Sequence, residues 1–382
     1  MLVSRITFRD WRNIPACTVP LSGGINVLWG MNAQGKSNIL EGIYYFARGR
    51  SFRSAKEREL VRFGCDFASA VLQFRRDGYT GDTTLEAILP AVGKKKLLRN
   101  GAPLSSAAEM MGSFRAVLFC PANLSIVTGG PLERRTFLDI AISQLSGAYL
   151  TYLRRYTKIL TERNALIKRV QSGERVTREE WEVYAESLSE CGAWIAAYRS
   201  EYASYLREAV ARYFSEMTGG AECPGIEYRS HALYDGIPKP LTESGIPDKS
   251  VLYEKLVSQV EREAAAGVTL WGVHKDDLIL TLNGVEARLF ASQGQQRSIV
   301  LSLKLAEAEI AGRIGGEYPV ILLDDVFSEL DENRRRYILE VLGSPEAGEH
   351  RQIIVTSCEP DVIPGHQASS VHFVRVSGGN VE

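Results

Sequence analysis

The eight residues Gly30-Met31-Asn32-Ala33-Gln34-Gly35-Lys36-Ser37 constrain this chain more than any other stretch. They fit the pattern Gly, four residues, Gly-Lys-Ser/Thr, and their flanks fit it too. Ile25-Asn26-Val27-Leu28-Trp29 reads as a buried strand leading in. Ser37-Asn38-Ile39-Leu40-Glu41-Gly42-Ile43 reads as a helix leading out, with Ile39, Leu40 and Ile43 on one face. Glycines let backbone N–H groups turn inward, and the helix N-terminus adds partial positive charge, so the loop from Gly30 to Asn38 suits the β- and γ-phosphates of ATP. Lys36 reaches the same phosphates, and the Ser37 hydroxyl is placed to ligate Mg2+.

Two further constellations lie far along the chain. Val320-Ile321-Leu322-Leu323-Asp324-Asp325 is four apolar residues ending in two carboxylates. A buried strand delivering an acid beside a phosphate loop predicts Asp324 as a Mg2+ ligand and Asp325 as the group that polarises the attacking water. With Lys36 these are the expected catalytic residues. Ser292-Gln293-Gly294-Gln295-Gln296-Arg297 opens a helix whose apolar face holds Ile299, Leu303 and Ala306, with Leu305 beside them. Ser292 is a good N-cap and Gly294 permits close approach. Such a start is either a second anion-binding device or an ordinary capped helix packing on the sheet.

Length and composition bound the rest. A chain of 382 residues, 45% hydrophobic, supports two or three domains with sizeable cores. A formal net charge of −1 excludes a global polycation, so any nucleic-acid surface is a local patch. The six cysteines are scattered with no metal-ligand spacing, which argues against a zinc site or disulfide frame. The opening residues alternate like a strand and not like a signal peptide, and no apolar run approaches bilayer length. A soluble, cytoplasmic protein is expected, with no membrane partner.

Texture divides the chain into three. To about residue 130, short apolar runs and turns such as Asp77-Gly78 and Asn100-Gly101 predict strands and hairpins around the first helix. Residues 132–217 lack proline and carry long helical patterns. Residues 221–250 hold Pro224, Pro238, Pro240 and Pro247 and read as irregular or extended. A helix is expected over 251–266, then a strand at 278–282 with a turn at Asn283-Gly284.

Phosphate loop, Ser-x-Gly-Gln helix start and two-carboxylate strand, in that order, resemble the ATP-binding-cassette superfamily. Within it the chain is similar to a bacterial recombination and repair branch allied to SMC heads. The likeness runs nearly end to end, through Phe8-Arg9-Asp10-Trp11-Arg12-Asn13, Gly49-Arg50-Ser51-Phe52-Arg53, Glu133-Arg134-Arg135-Thr136-Phe137-Leu138-Asp139 and Gly272-Val273-His274-Lys275-Asp276-Asp277-Leu278. It implies an α/β, two-lobed ATPase head with a mixed sheet and flanking helices, interrupted by a mainly helical arm. The expected division is 1–130, the first lobe with the phosphate loop; 131–266, the arm; and 267–382, the second lobe with signature helix and carboxylate strand.

The resemblance also implies a mechanism. Ser292, Gly294 and Gln295 of one copy would cap the γ-phosphate bound by the other, so that ATP joins a head-to-tail homodimer. Asp331 would lie at the dimer interface, and Arg12 or Asn13 would touch the nucleotide. Slow, DNA-stimulated hydrolysis would release the dimer from gapped or single-strand/double-strand junction DNA. RecO- and RecR-like mediators and, indirectly, a RecA-like recombinase would be partners, in a nucleoid-associated cytoplasmic setting.

Several positions depart from the superfamily pattern. Ala33 replaces a glycine, tolerable if its φ is negative. Asp325 stands where transporter relatives carry Glu, consistent with slow turnover. Thr356-Ser357 replaces the switch histidine, so γ-phosphate sensing there is absent or done by a hydroxyl. Cys120-Pro121-Ala122-Asn123 lacks an expected acidic pair, and the glutamine-loop residue is not placed. A transporter nucleotide-binding subunit is the less favoured alternative, because Ser292 stands 255 residues after Ser37. An SMC-like structural head would need sustained heptads, which the middle segment lacks. A nuclease would have only His274, Asp276 and Asp277, which read as a structural or nucleotide-adjacent element.

Basic clusters are candidates for DNA. Arg154, Arg155, Lys158, Arg163, Lys168 and Arg169 lie close to Tyr149, Tyr152 and Tyr156, and read equally as phosphate contacts or as a solvated helix face. Lys94-Lys95-Lys96 reads as a basic hairpin tip. Arg48, Arg50, Arg53, Lys56, Arg58 and Arg62 form a second cluster, of which those nearest the phosphate loop could equally serve ATP or the fold. Nothing suggests reading of base edges, so binding by backbone and junction shape is expected.

Overall fold

The computed structural model describes residues 1–54, 56–230, 247–343, 351–360 and 371–382. Strand β1 (Leu2–Trp11) buries Val3, Ile6, Phe8 and Trp11 and exposes Arg5 and Arg9, the alternation of a strand with one face on a core. β2 (Ile14–Pro20) returns antiparallel to it, and β3 (Gly24–Trp29) runs into the phosphate loop, from which α1 (Lys36–Arg48) leaves. Then come β4 (Phe67–Arg75), β5 (Thr83–Pro90), β6 (Lys96–Arg99), β7 (Ala102–Pro103), a one-turn α2 (Ala107–Met110) and β8 (Ala116–Phe119).

The middle of the chain is mainly helical: α3 (Ser125–Thr128), α4 (Pro131–Leu145), α5 (Gly147–Gln171) and α6 (Arg178–Thr218). Thr177 and Glu180 form a capping box that starts α6. β9 (Pro224–Arg229), α7 (Ser250–Ser258), α8 (Val260–Ala266), β10 (Asp277–Leu282), β11 (Val285–Glu286) and α9 (Ala287–Phe290) follow. The chain closes with α10 (Gln293–Gly315), β12 (Val320–Asp324), α11 (Glu332–Gly343), β13 (Gln352–Ser357), β14 (Val371–Ser377) and β15 (Asn380–Val381).

Two six-stranded sheets organise the ends of the chain. One is antiparallel, in the order β2-β1-β4-β5-β6-β7; the other runs β15-β14-β3-β13-β12-β8, parallel except at β15. Helix α1 is buried from Ile39 to Ala47, because Phe8 of β1 covers it at Gly42 while β8, β12 and β13 pack on it from the parallel sheet. Each fully buried Ile or Leu there contributes about 1.5–3 kcal/mol. Parallel strands end at one edge, and their register sets Asp324 beside Thr356 and Ser357 beside Trp29, the residue before Gly30. The candidate site is therefore built on strand ends of one rigid sheet.

Contacts divide the chain into two compact units, Met1–Asn123 with Leu303–Glu382, and Leu124–Ser302. This differs from the sequence expectation at two places. The strand at 278–282, expected in one lobe with the carboxylate strand, falls in the second unit and pairs with β9, and the start of α10 lies there too. The proline-rich stretch contains the regular strand β9, while Pro238 and Pro240 lie outside the described residues. The helix expected over 251–266 is two helices, broken at Gln259.

Candidate nucleotide site

The loop between β3 and α1 is held by the backbone and by its neighbours. Gly30 has φ 152°, and a Cβ there would stand 2.2 Å from the Val376 carbonyl oxygen, so only glycine fits. Gly30 N–H donates to Ser357 O (3.2 Å), and the Gln34 carbonyl accepts from Gly379 N–H (3.0 Å). Gln34 Oε1 accepts from Gly378 N–H (2.6 Å), and Asn13 Nδ2 donates to Ala33 O (3.1 Å). Lys36, largely buried, donates its ammonium to the carbonyls of Gly30 and Met31, the latter at 2.8 Å. Its charge therefore sits over the loop that the sequence assigns to phosphates. Asn32 and Met31 lie exposed on the rim, with Asn32 Oδ1 3.1 Å from the Cys358 thiol.

Ala33 corrects one expectation. Its φ is +64°, in the left-handed region, and not negative. The fold holds an alanine where glycine would be unstrained.

The carboxylates come together with the loop. Burial pushes the Asp324 carboxyl above its ordinary value, opposed by hydrogen bonds from Ser37 and Thr356 and by the charge of Arg53. Ser37 hydroxyl and Asp324 carboxylate thus stand side by side at the start of α1, two hard oxygen donors of the kind Mg2+ takes. A buried carboxyl held against its own desolvation also suits a cation. Asp325 follows with φ 52°, its N–H donating to Thr356 Oγ1 (2.9 Å) and its carbonyl accepting from Ser328 Oγ (2.8 Å).

Arg12 is committed elsewhere than expected. Its guanidinium makes a bidentate pair with the fully buried Glu41 of α1 (2.8 and 2.9 Å) and donates to Glu59 O (2.9 Å) and to Ser54 Oγ. Glu41 also accepts from Ser51 Oγ, which in turn accepts the N–H groups of Arg53 (3.0 Å) and Ser54 (2.8 Å). The loop is thereby pinned so that Arg53 donates to Asn38 Oδ1 (2.8 Å), while Asn38 Nδ2 donates to Asn13 Oδ1 (2.7 Å). Sequence reading grouped Arg53 with a diffuse cluster; Glu41 and Ser51, a buried acid and the hydroxyl it holds, are the signal that singles it out. A cleft of about 720 Å3 opens beside Asn13 and Asn38, lined among others by Arg12, Arg53, Arg58 and Arg62.

The second unit holds the start of α10. Ser292 Oγ accepts from Gln295 N–H (3.3 Å) and Gln295 Oε1 accepts from Ser292 N–H (2.6 Å), a reciprocal cap. The Gln295 amide also donates to Glu222. Among the described residues a Cβ at Gly294 would meet nothing within 4 Å beyond its own helix, and Leu289 and Phe290 just upstream are 63% and 70% exposed. Asp331 caps α11, accepting from Arg334 N–H (3.0 Å) and pairing with its guanidinium (2.8 Å), which hold its carboxyl below the usual range. Cys120-Pro121-Ala122-Asn123 follows β8 directly, and Asn123 Oδ1 accepts from Cys120 N–H (2.8 Å).

Several DNA candidates are redistributed. Lys95 is tied to Glu57, Gly49 O (3.0 Å) and Tyr45 Oη (3.2 Å), a fold contact, whereas Lys94 and Lys96 are exposed. Arg163 is fully buried, 2.6 Å from the equally buried Glu263. Arg154, Arg155 and Lys158 line the outer face of α5, Arg155 paired to Glu190 (3.5 Å) and Lys158 to Glu162 (3.8 Å). The tyrosines face inward: Tyr149 bonds Asp139, Tyr156 bonds His274 Nδ1 (2.7 Å), and Tyr152 stacks on Trp194. His274 and Asp276 are likewise absorbed, Asp276 by Tyr228 (2.5 Å), Ser230 (2.9 Å) and Arg199 (3.7 Å), and Arg134 clasps Asp277 at 2.7 and 2.8 Å. Among the described residues no helix is long and apolar enough to cross a membrane.

The family model described as RecF/RecN/SMC N terminal domain matches residues 2–377. The DNA replication and repair protein RecF of Clostridium novyi is 37% identical over 381 residues, covering 100% of this chain and 99% of that protein. RecF of Ruminiclostridium cellulolyticum is 33% identical over 382 residues, with 100% and 99% covered. A solved structure of the recombination mediator protein RecF with ATP, in the RecFOR pathway, superposes with a TM-score of 0.88 at 31% identity, covering 100% of this chain and 97% of that one. An SMC head from Pyrococcus furiosus, 14% identical with a TM-score of 0.57 over 100% and 95% of the two chains, shares the fold alone. A phosphate loop and a two-carboxylate strand on one parallel sheet, matched along the whole chain at this identity, mean that the chain belongs to the RecF family of DNA replication and repair proteins.

Proposed function

We propose that this chain is an ATP-gated DNA-binding protein of recombinational repair and replication restart. ATP with Mg2+ occupies the loop from Gly30 to Asn38, with Ser37 and Asp324 holding the metal and Asp325 orienting water. Arg53, pinned by the Glu41–Ser51 network beside Asn38, adds positive charge at the phosphates. Two copies close head to tail, Ser292, Gly294 and Gln295 of each reaching the nucleotide of the other, with Asp331 at their interface. Slow hydrolysis, stimulated by DNA, opens the dimer; ATP times residence on gapped or junction DNA and drives no chemistry on it. RecO- and RecR-like mediators act with it, and loading of a RecA-like recombinase follows.

One observation carries the dimer. Among the described residues, open space lies where a Gly294 side chain would go, so their packing gives no reason for its lack of one. A capped helix N-terminus with bare backbone and exposed Leu289 and Phe290 beside it is suited to an anion and a surface brought from outside. The test is anisotropy of gapped and fully duplex DNA with ATP, ADP or no nucleotide, beside sedimentation of the protein alone. Binding and dimers that require ATP and vanish in Ser292→Arg are expected. Nucleotide-independent DNA binding by a monomer would remove the gating.

A further inference from the structure

Thr356 stands where ATP-binding-cassette relatives lead one to look for a group that reads the γ-phosphate, and its hydroxyl is already engaged. It is 2% exposed at the C-terminal end of β13, in register with Asp324 on one side and with Leu28 of the phosphate-loop strand on the other. Its Oγ1 donates to Asp324 Oδ1 at 3.0 Å and accepts the Asp325 N–H at 2.9 Å. A hydroxyl has one proton to give. Here it goes to a carboxylate, and one lone pair takes the N–H of the next residue.

We infer that Thr356 is a positioning residue for both carboxylates and not a phosphate sensor: through one buried hydroxyl it aims Asp324 at the metal site and holds the left-handed turn from which Asp325 projects. The inference rests on the proposed Mg-ATP reading of the site. Asp325 at φ 52° is a conformation an aspartate adopts at a cost, and the Thr356 and Ser328 hydroxyls bond the peptide groups on either side of its Cα. A valine at 356 would keep the shape and lose both bonds; a serine would keep both.

The full-length chain tests this with a fluorescent ATP analogue titrated in EDTA and across free Mg2+ concentrations, for wild type, Thr356→Val and Thr356→Ser. Removing a partner of a metal-ligating carboxylate typically costs about 10- to 100-fold in metal affinity or activity. The expected result is a rise of at least about tenfold in the Mg2+ concentration for half-saturation in Thr356→Val. Affinity in EDTA stays at the wild-type value, kcat falls with little change in KM, and Thr356→Ser restores all of it. An unchanged Mg2+ half-saturation in Thr356→Val overturns the inference. So does an equal loss in EDTA and in Mg2+, which would mark a role in folding or in phosphate contact. If the wild type itself shows no Mg2+-dependent binding, the reading of the site fails first and takes the inference with it.

Discussion

At the scale of single residues, the site pays for its shape with backbone strain at Ala33 (φ 64°) and Asp325 (φ 52°). A non-glycine residue in the left-handed region costs roughly 1–2 kcal/mol, while glycine gives back roughly 0.5–1 kcal/mol through its freer unfolded chain. Ala33→Gly is therefore expected to stabilise the protein by about 0.5–1 kcal/mol in urea unfolding. ATP affinity should stay within about twofold, because Asn13 and the turn at Gly378-Gly379 hold the loop through backbone groups that glycine keeps. A less stable Ala33→Gly protein would mean that the left-handed alanine is not strained. Alanine at this position was visible in the sequence; its φ was not, because conformation there is set by what the loop bonds to.

Elements reveal where sequence reading succeeds and where it stops. In the arm, Arg163 of α5 and Glu263 of α8 form a fully buried pair, with Arg163 also donating to Thr269 Oγ1 (2.9 Å) and Leu256 O (3.1 Å), and Glu263 accepting from Leu270 N–H (2.7 Å). Breaking such a pair from one side leaves a buried charge and costs roughly 3–5 kcal/mol. Glu263→Gln should lose about that much in urea unfolding, and Arg163→Met with Glu263→Leu should recover a large part of it; a Glu263→Gln protein as stable as wild type would show the pair to be solvated. Arg163 looked like a member of a basic DNA-facing run because six cations within one helix cannot be sorted by spacing alone when the partner acid lies a hundred residues away. By contrast, strand β3, helix α1, strand β12 and the Ser292 cap were legible, since each is specified by its own local pattern of apolar spacing and capping. Pairing of β10 with β9 was not, because both are short strands whose alternation names no partner.

For the whole molecule, the question is which surfaces act only when something else arrives. Lys95 is already bonded within the fold, so Lys95→Ala should lower stability and leave the salt dependence of DNA binding unchanged. Arg154→Glu with Lys158→Glu, on the exposed face of α5, should weaken DNA binding and flatten its dependence on salt, by about 0.9 in the log–log slope for each DNA phosphate that is no longer neutralised. Their present acidic neighbours do not oppose this, because exposed pairs of this kind are worth little and exchange readily for phosphate. An unaltered slope would move the DNA surface off the arm. Gly294 gives the sharpest separation between folding and assembly. Alanine there is a better helix former by up to about 1 kcal/mol and meets nothing beyond its own helix among the described residues, so Gly294→Ala should be at least as stable as wild type. If a second copy must bring its nucleotide against bare backbone at that position, the added methyl obstructs it. ATP-dependent dimers in sedimentation and DNA-stimulated ATP turnover should then both fall, with ATP binding to the monomer intact. Wild-type dimers in Gly294→Ala would mean that this helix start faces solvent in the working protein, and the trans contact would have to be sought elsewhere.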